Sequence, residues 1–385
     1  MNAYSDCGVT ARTVWRWEHG TRPLARYRRL LCALYDSSSE ELGFRAAQAY
    51  ARTEVAKQVD AHAVISQVAR TSPSTPVAGR TGVEAAMQAF RDADRQVGGG
   101  YIYGAVIRYL TREVAPQLLK STPAAYAAAA ALTEMAGWMA HDAGHDGLAQ
   151  RHFDRALRLA SSTDDVELIA HIHASVSHLA QHADRPQEAL RLARAGAGIL
   201  RRKEHGPATA ARLHAMEARA LASLGRKSDC GRTLLSAERT LDRQPSQAPS
   251  PWVSPFDHAS LAGEASECME QLRQLAAARQ HSERVISLRG SQHVRSRAFS
   301  QLRLANILVA EGEIDHACTI AANALASSGQ LASHRVSQLL RSLHAKLLPH
   351  AAAGGVDEAV EALSAALGAR MPARLLIDTR RDPES

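Results

Sequence analysis

Two histidine pairs have the spacing of metal ligands. His141 and His145, and His178 and His182, are each four residues apart, which brings two imidazoles to one side of a helix. Neither pair has the companions a zinc site needs, because there is no His-Glu-x-x-His and no Cys-x-x-Cys. The five cysteines, Cys7, Cys32, Cys230, Cys268 and Cys318, are odd in number and far apart, as in a reduced, cytoplasmic chain. Gly98, Gly99 and Gly100 offer a phosphate cradle or an oxyanion loop. No nucleophile elbow, P-loop or dinucleotide fingerprint accompanies them. Leu224 to Ser228 reads Leu-Gly-Arg-Lys-Ser, the end of a P-loop without its upstream glycine or strand. The histidines are therefore expected as polar groups near helix ends, and the glycines as a helix joint. No catalytic residue, metal or cofactor is assigned, and the chain is read as a non-enzyme.

Arginine carries the remaining chemistry. Arg212 and Arg219 are seven apart, hence on one helix face, where two guanidinium groups can clamp a carboxylate. The alternative is a solvated helix face. A denser cluster lies near the start: Gly8 to Leu30 holds six arginines and one glutamate, a net +5 in 23 residues. Thr10 is a good N-cap and Gly20 a good C′ residue, so a short helix is expected between them. Val14 and Trp17 fall on one side of it, Arg12 and Arg16 on the other, with Trp15 flanking. The whole chain is at +7, a mild attraction for nucleic acid.

These residues need elements to hold them. At 385 residues two or three domains are expected. Aromatics are only 4% of the chain and apolar residues 45%, a balance that suits closely packed helices better than a β-sandwich. The longest apolar stretch, Ala124 to Leu132, is nine residues, too short to span a bilayer. The first eight residues carry no signal-peptide pattern. No membrane partner is expected. Residues 1–45 form the basic zone, and 46–81 a helix followed by a linker with two prolines and a glycine at 70–79. Residues 82–367 are helical throughout, and 368–385 form a tail.

The long zone repeats. A small residue, a second position four on and a third three further recur at Ala149, Ala189, Cys230, Ala278, Ala317 and Ala359, with gaps of 40, 41, 48, 39 and 42. A proline-rich insertion at 244–255 accounts for the long gap. Each unit carries a preceding helix, as in Ala208 to Leu224 before Ser228 to Leu241. Antiparallel helix pairs that bury a shared face by stacking form an α-solenoid, so the fold class is all-α.

The small residues twelve before the anchors, Gly137, Ala218 and Ala305, make the array resemble the tetratricopeptide repeat, with a HEAT-like array as the alternative. The tetratricopeptide resemblance implies that the first helix of each pair lines a concave groove. Carried over, Trp138, Arg212, Arg219 and Asn306 take groove positions for a protein or peptide partner, although Trp138 suits the core equally. Residues 8–44 resemble the Xre/Cro-type helix-turn-helix, from its turn onward. That resemblance implies a turn at Gly8 to Thr10 and a recognition helix from Thr10 to Glu18. Thr10, Ala11, Arg12, Thr13 and Arg16 would then face duplex DNA. The family carries two helices before the turn, where this chain has Met1 to Cys7, so a partial domain is expected. The whole chain resembles actinomycete regulators that join such a domain to degenerate repeats. It implies a DNA-binding transcriptional regulator, homodimeric on paired half-sites, whose repeats bind a protein, peptide or small-molecule ligand. The alternative is an interaction scaffold with a vestigial DNA-binding domain.

Overall fold

Helix starts in this chain are written locally. Pro123, Pro186 and Pro207 occupy the first turn of their helices, where a missing N–H costs nothing. Thr122, Asp165, Asp257 and Ser333 cap theirs by accepting a backbone N–H. The computed structural model describes residues 82–120, 122–201, 205–243, 248–328, 331, 333–351 and 356–369, all within the unit Ala63–Ser385. The expected DNA-facing residues Thr10, Ala11, Arg12, Thr13 and Arg16 lie outside the described residues.

The described residues form fourteen α-helices and no strand. Helices α1 (Gly82–Val97) and α2 (Gly99–Tyr109) lead through a π-turn and a 3-10 segment into six pairs. The pairs are α3 (Pro123–Asp142) with α4 (Asp146–Ala160), α5 (Val166–His182) with α6 (Pro186–Leu200), and α7 (Pro207–Ser223) with α8 (Lys227–Leu241). They continue as α9 (His258–Gln271) with α10 (Leu275–Leu288), α11 (Val294–Glu311) with α12 (Ile314–Ser328), and α13 (His334–Leu347) with α14 (Val356–Ala369). No described helix is long and apolar enough to cross a membrane.

This is an α-solenoid of tetratricopeptide-like pairs, and the repeat shows in packing and in backbone. Ala149, Ala189, Cys230, Ala278 and Ala317 are all fully buried on the second helices. The facing helix approaches closely at Gly137, where a Cβ would lie 2.5 Å from Phe153 Cε1. The turn within each of the first five pairs carries one left-handed residue: Gly144, Asp184, Gly225, Arg273 and Gly312. The residue after it donates its N–H five residues back, as in His145 to Ala140 and Arg226 to Leu221, which satisfies the carbonyls at the helix end.

The array curls until its early and late pairs meet. Arg295 of α11 forms an ion pair with Asp94 of α1 at 2.7 Å and with Asp142 of α3 at 3.4 Å. Ser333 donates to the same Asp142 carboxylate at 2.7 Å. The glycine joint closes here too, because Gly99 N–H donates to Asp142 at 3.2 Å. The proline-rich insertion folds back over the interior. Ser250 donates to Glu167 and Asp165 at 2.9 and 2.6 Å, and the carbonyl of Trp252 accepts from Arg91 at 2.9 Å.

Candidate functional site

Curling forms a solvent-open cavity of about 370 Å³ on the inner side of the solenoid. First helices of the pairs supply most of its wall, together with α1 and the segment Ser254, Pro255, Phe256. The wall carries many charged side chains among apolar ones, and most of that charge is matched. Arg295 balances Asp94 and Asp142. Arg303 meets Glu267 at 2.9 Å and also Glu270. Arg289 holds both oxygens of Asp257 at 2.7 and 2.8 Å. Burial pushes the Asp94 carboxyl up to about 6, against the pull of Arg295. Burial works in the same direction on Glu267, but Arg219 and Arg303 outweigh it and hold that carboxyl down at about 2.

Three guanidinium groups on the wall form no ion pair with any described residue: Arg91, Arg212 and Arg335. Arg91 donates only to the Trp252 carbonyl, and its Nε is buried without a partner among the described residues. Arg335 lies 4.9 Å from the ring centre of Phe299 and makes no hydrogen bond to a described residue. Arg212 stands 5.5 Å over the Trp138 ring. It meets the ring nitrogens of His171 at 2.8 and 2.9 Å and donates to Ser175 at 3.2 Å. Burial lowers all three guanidinium groups, Arg91 to about 10. His171 accepts from a cation and is fully buried. Desolvation first, then Arg212 and Arg91, hold it well below its usual range, so it is neutral. Carboxylates act on all three from a distance, Glu134 on Arg91 and Arg212 and Glu267 on Arg335, but none contacts them, so their donors are open to an incoming anion.

The groove residues read from the repeat register separate into two groups. Trp138 and Arg212 line the cavity. Trp138 is also fixed from behind, because its Nε1 donates to Glu134 at 2.6 Å and Ser175 at 3.0 Å. Arg219 is not on the wall. Its guanidinium is 11% exposed and is shared between Glu264, at 3.0 Å, and Glu267, so it has no free donor pair for a partner's carboxylate. Asn306 is buried and holds two first helices together. It donates to the carbonyls of Leu302 and Leu339 at 2.9 and 3.2 Å and accepts from Ser342 at 2.8 Å. The two-arginine clamp therefore does not form as spaced. The guanidinium groups without a direct ion pair are instead Arg212, Arg91 and Arg335; Arg91 comes from α1, ahead of the repeats, and Arg335 from the first turn of α13. The one signal of these last two in the sequence is their helical context: each lies on a helix whose buried face includes its neighbours Phe90 or Val336.

No protein-family model and no curated protein matches the chain. Among solved structures it is similar to the crystal structure of Rap protein complexed with competence and sporulation factor. The match has 13% identity, covers 82% of this chain and 87% of that chain, and has a TM-score of 0.49.

Proposed function

We propose that the chain is a ligand-responsive transcriptional regulator. Its helical array takes a short anionic peptide into the interior, and its basic N-terminal segment engages duplex DNA. The observation that carries this reading is the cavity, open to solvent on one side, with three guanidinium groups that no carboxylate of the described residues contacts directly. Its volume of about 370 Å³ suits a few residues of extended peptide, within the usual range of ligand sites. A C-terminal carboxylate or an acidic side chain would meet these donors, and Trp138 and Phe299 supply flat apolar surface beside it. The chain acts by binding and not by catalysis. Because the wall is built from both ends of the array, a ligand that tightens it changes the closure between α1, α3 and α11.

The DNA half of the reading rests on the net +5 over residues 8–30 and the pattern at Thr10 to Arg16. Its test is duplex binding by the full chain as salt is raised. Affinity should fall steeply as counterions compete for the phosphates. Arg12→Ala and Arg16→Ala should each weaken binding with helicity unchanged. Equal binding by a chain beginning at residue 82 would refute the assignment to residues 8–30, and absence of binding by the full chain would leave the scaffold reading in its place.

A further inference from the structure

The histidine pairs of the sequence do not form sites within their own helices. The fold assembles a different trio across three helices: His141 from the last turn of α3, His182 at the end of α5, and Asp146 at the start of α4. One ligand atom from each lies within 4.8 Å of the other two. His141 Nδ1 is 2.7 Å from Asp146 Oδ1. The His141 and His182 rings meet nearly at right angles, 4.7 Å between centres.

Three further observations bear on this trio. His141 is 1% exposed, yet its Nε2 has no hydrogen-bond partner among the described residues, an unusual cost for a buried polar atom. His182 is exposed and the Asp146 side chain is 44% exposed, so an ion has a way in from solvent. The ends of α3 and α5 converge on the trio, and helix C-termini carry partial negative charge that favours a cation. The neighbouring carboxylate, Asp142, is already held by Arg295 and Ser333 and is not available as a ligand.

We infer that His141, Asp146 and His182 form a binding site for a divalent transition-metal ion of the Zn²⁺ class, with three protein ligands and a coordination position open to solvent. Two imidazoles and one carboxylate are borderline donors. They suit Zn²⁺ or Co²⁺ and disfavour Mg²⁺ and Ca²⁺, which prefer oxygen alone. With Asp146 as a ligand the ion takes His141 Nδ1 and replaces the present hydrogen bond between Nδ1 and Asp146 Oδ1. The ion would join the first two helix pairs at their turns. It would also fix His141, whose ring packs edge-on against Trp138 at 5.9 Å, beside the cavity.

The test is calorimetric titration of the full, tag-free chain with Zn²⁺, and separately with Mg²⁺, alongside the visible absorption of the Co²⁺ form. One Zn²⁺ per chain is expected, no comparable binding of Mg²⁺, and a Co²⁺ spectrum of low coordination number. His182→Ala and Asp146→Asn alter accessible side chains and should retain helicity while weakening Zn²⁺ about tenfold or more. His316→Ala removes an exposed histidine that lies beside Glu313 at 3.4 Å and should change nothing. The proposal is overturned by absence of stoichiometric Zn²⁺ binding, by undiminished binding in both ligand variants, or by an equal loss in His316→Ala.

Discussion

At the scale of single residues, the interior is governed by which charges have partners. His171 is the clearest case. It is buried beside Arg212 and Glu134, with Glu134 Oε1 3.6 Å away, and its proton affinity is depressed far below the ordinary 6.5. The unfolded chain takes up a proton near that value and the folded chain refuses it. Stability is therefore full above about pH 6.5 and falls as the pH drops below it. Denaturant unfolding between pH 5 and 7.5 should show this slope. His171→Asn should reduce it by up to about 1.4 kcal/mol per pH unit, one proton's worth. An unchanged slope in the variant would mean that His171 is protonated in the folded state. Arg212 and Arg219 show why spacing on one helix is a limited guide. Seven residues do place them on one face, but their partners, His171 and Glu264, come from the helices on either side. No local pattern announces those partners.

At the scale of elements, the repeat was legible because close packing constrains residue size. A small residue recurs wherever two helices touch, and the anchors from Ala149 to Ala317 are all fully buried. Gly137 is the tightest contact. Alanine there gains about 1 kcal/mol of helix propensity, but its Cβ would meet the Phe153 ring at 2.5 Å. The clash should win, for a net loss of about 1–2 kcal/mol in urea unfolding. Combining Gly137→Ala with Phe153→Leu should recover part of it. If Gly137→Ala alone were stabilising, the pair would be looser than described. The turns offer the opposite opportunity. Arg273 holds the left-handed position that glycine takes in three of the other four turns, with φ at 57°, and its side chain is exposed. Arg273→Gly should raise stability by up to about 1 kcal/mol, measured as an upward shift of Tm. A fall in Tm would show that the arginine side chain contributes more than its backbone costs.

At the scale of the whole molecule, the sequence is a poor guide to closure. The Arg295 pair with Asp94 spans 201 positions. The proline-rich segment reads as an insertion that merely lengthens one repeat, yet Phe256 and its neighbours form part of the cavity wall. Helix periodicity reports which face of an element is apolar. It says nothing of which distant element that face will meet, so Arg91 and Arg335 could not be placed before the curl of the array was known. Those arginines are open to an anionic peptide. Random peptides of about five residues, a length matched to the cavity, are passed over the immobilised full chain, once with a free C-terminal carboxylate and once amidated. Retained peptides are identified by mass spectrometry. Peptides with a free carboxylate or acidic side chains should be enriched, with retention falling about tenfold or more in Arg335→Gln at unchanged helicity. Retention indifferent to both the carboxylate and Arg335, or no retention at all, would contradict the peptide reading.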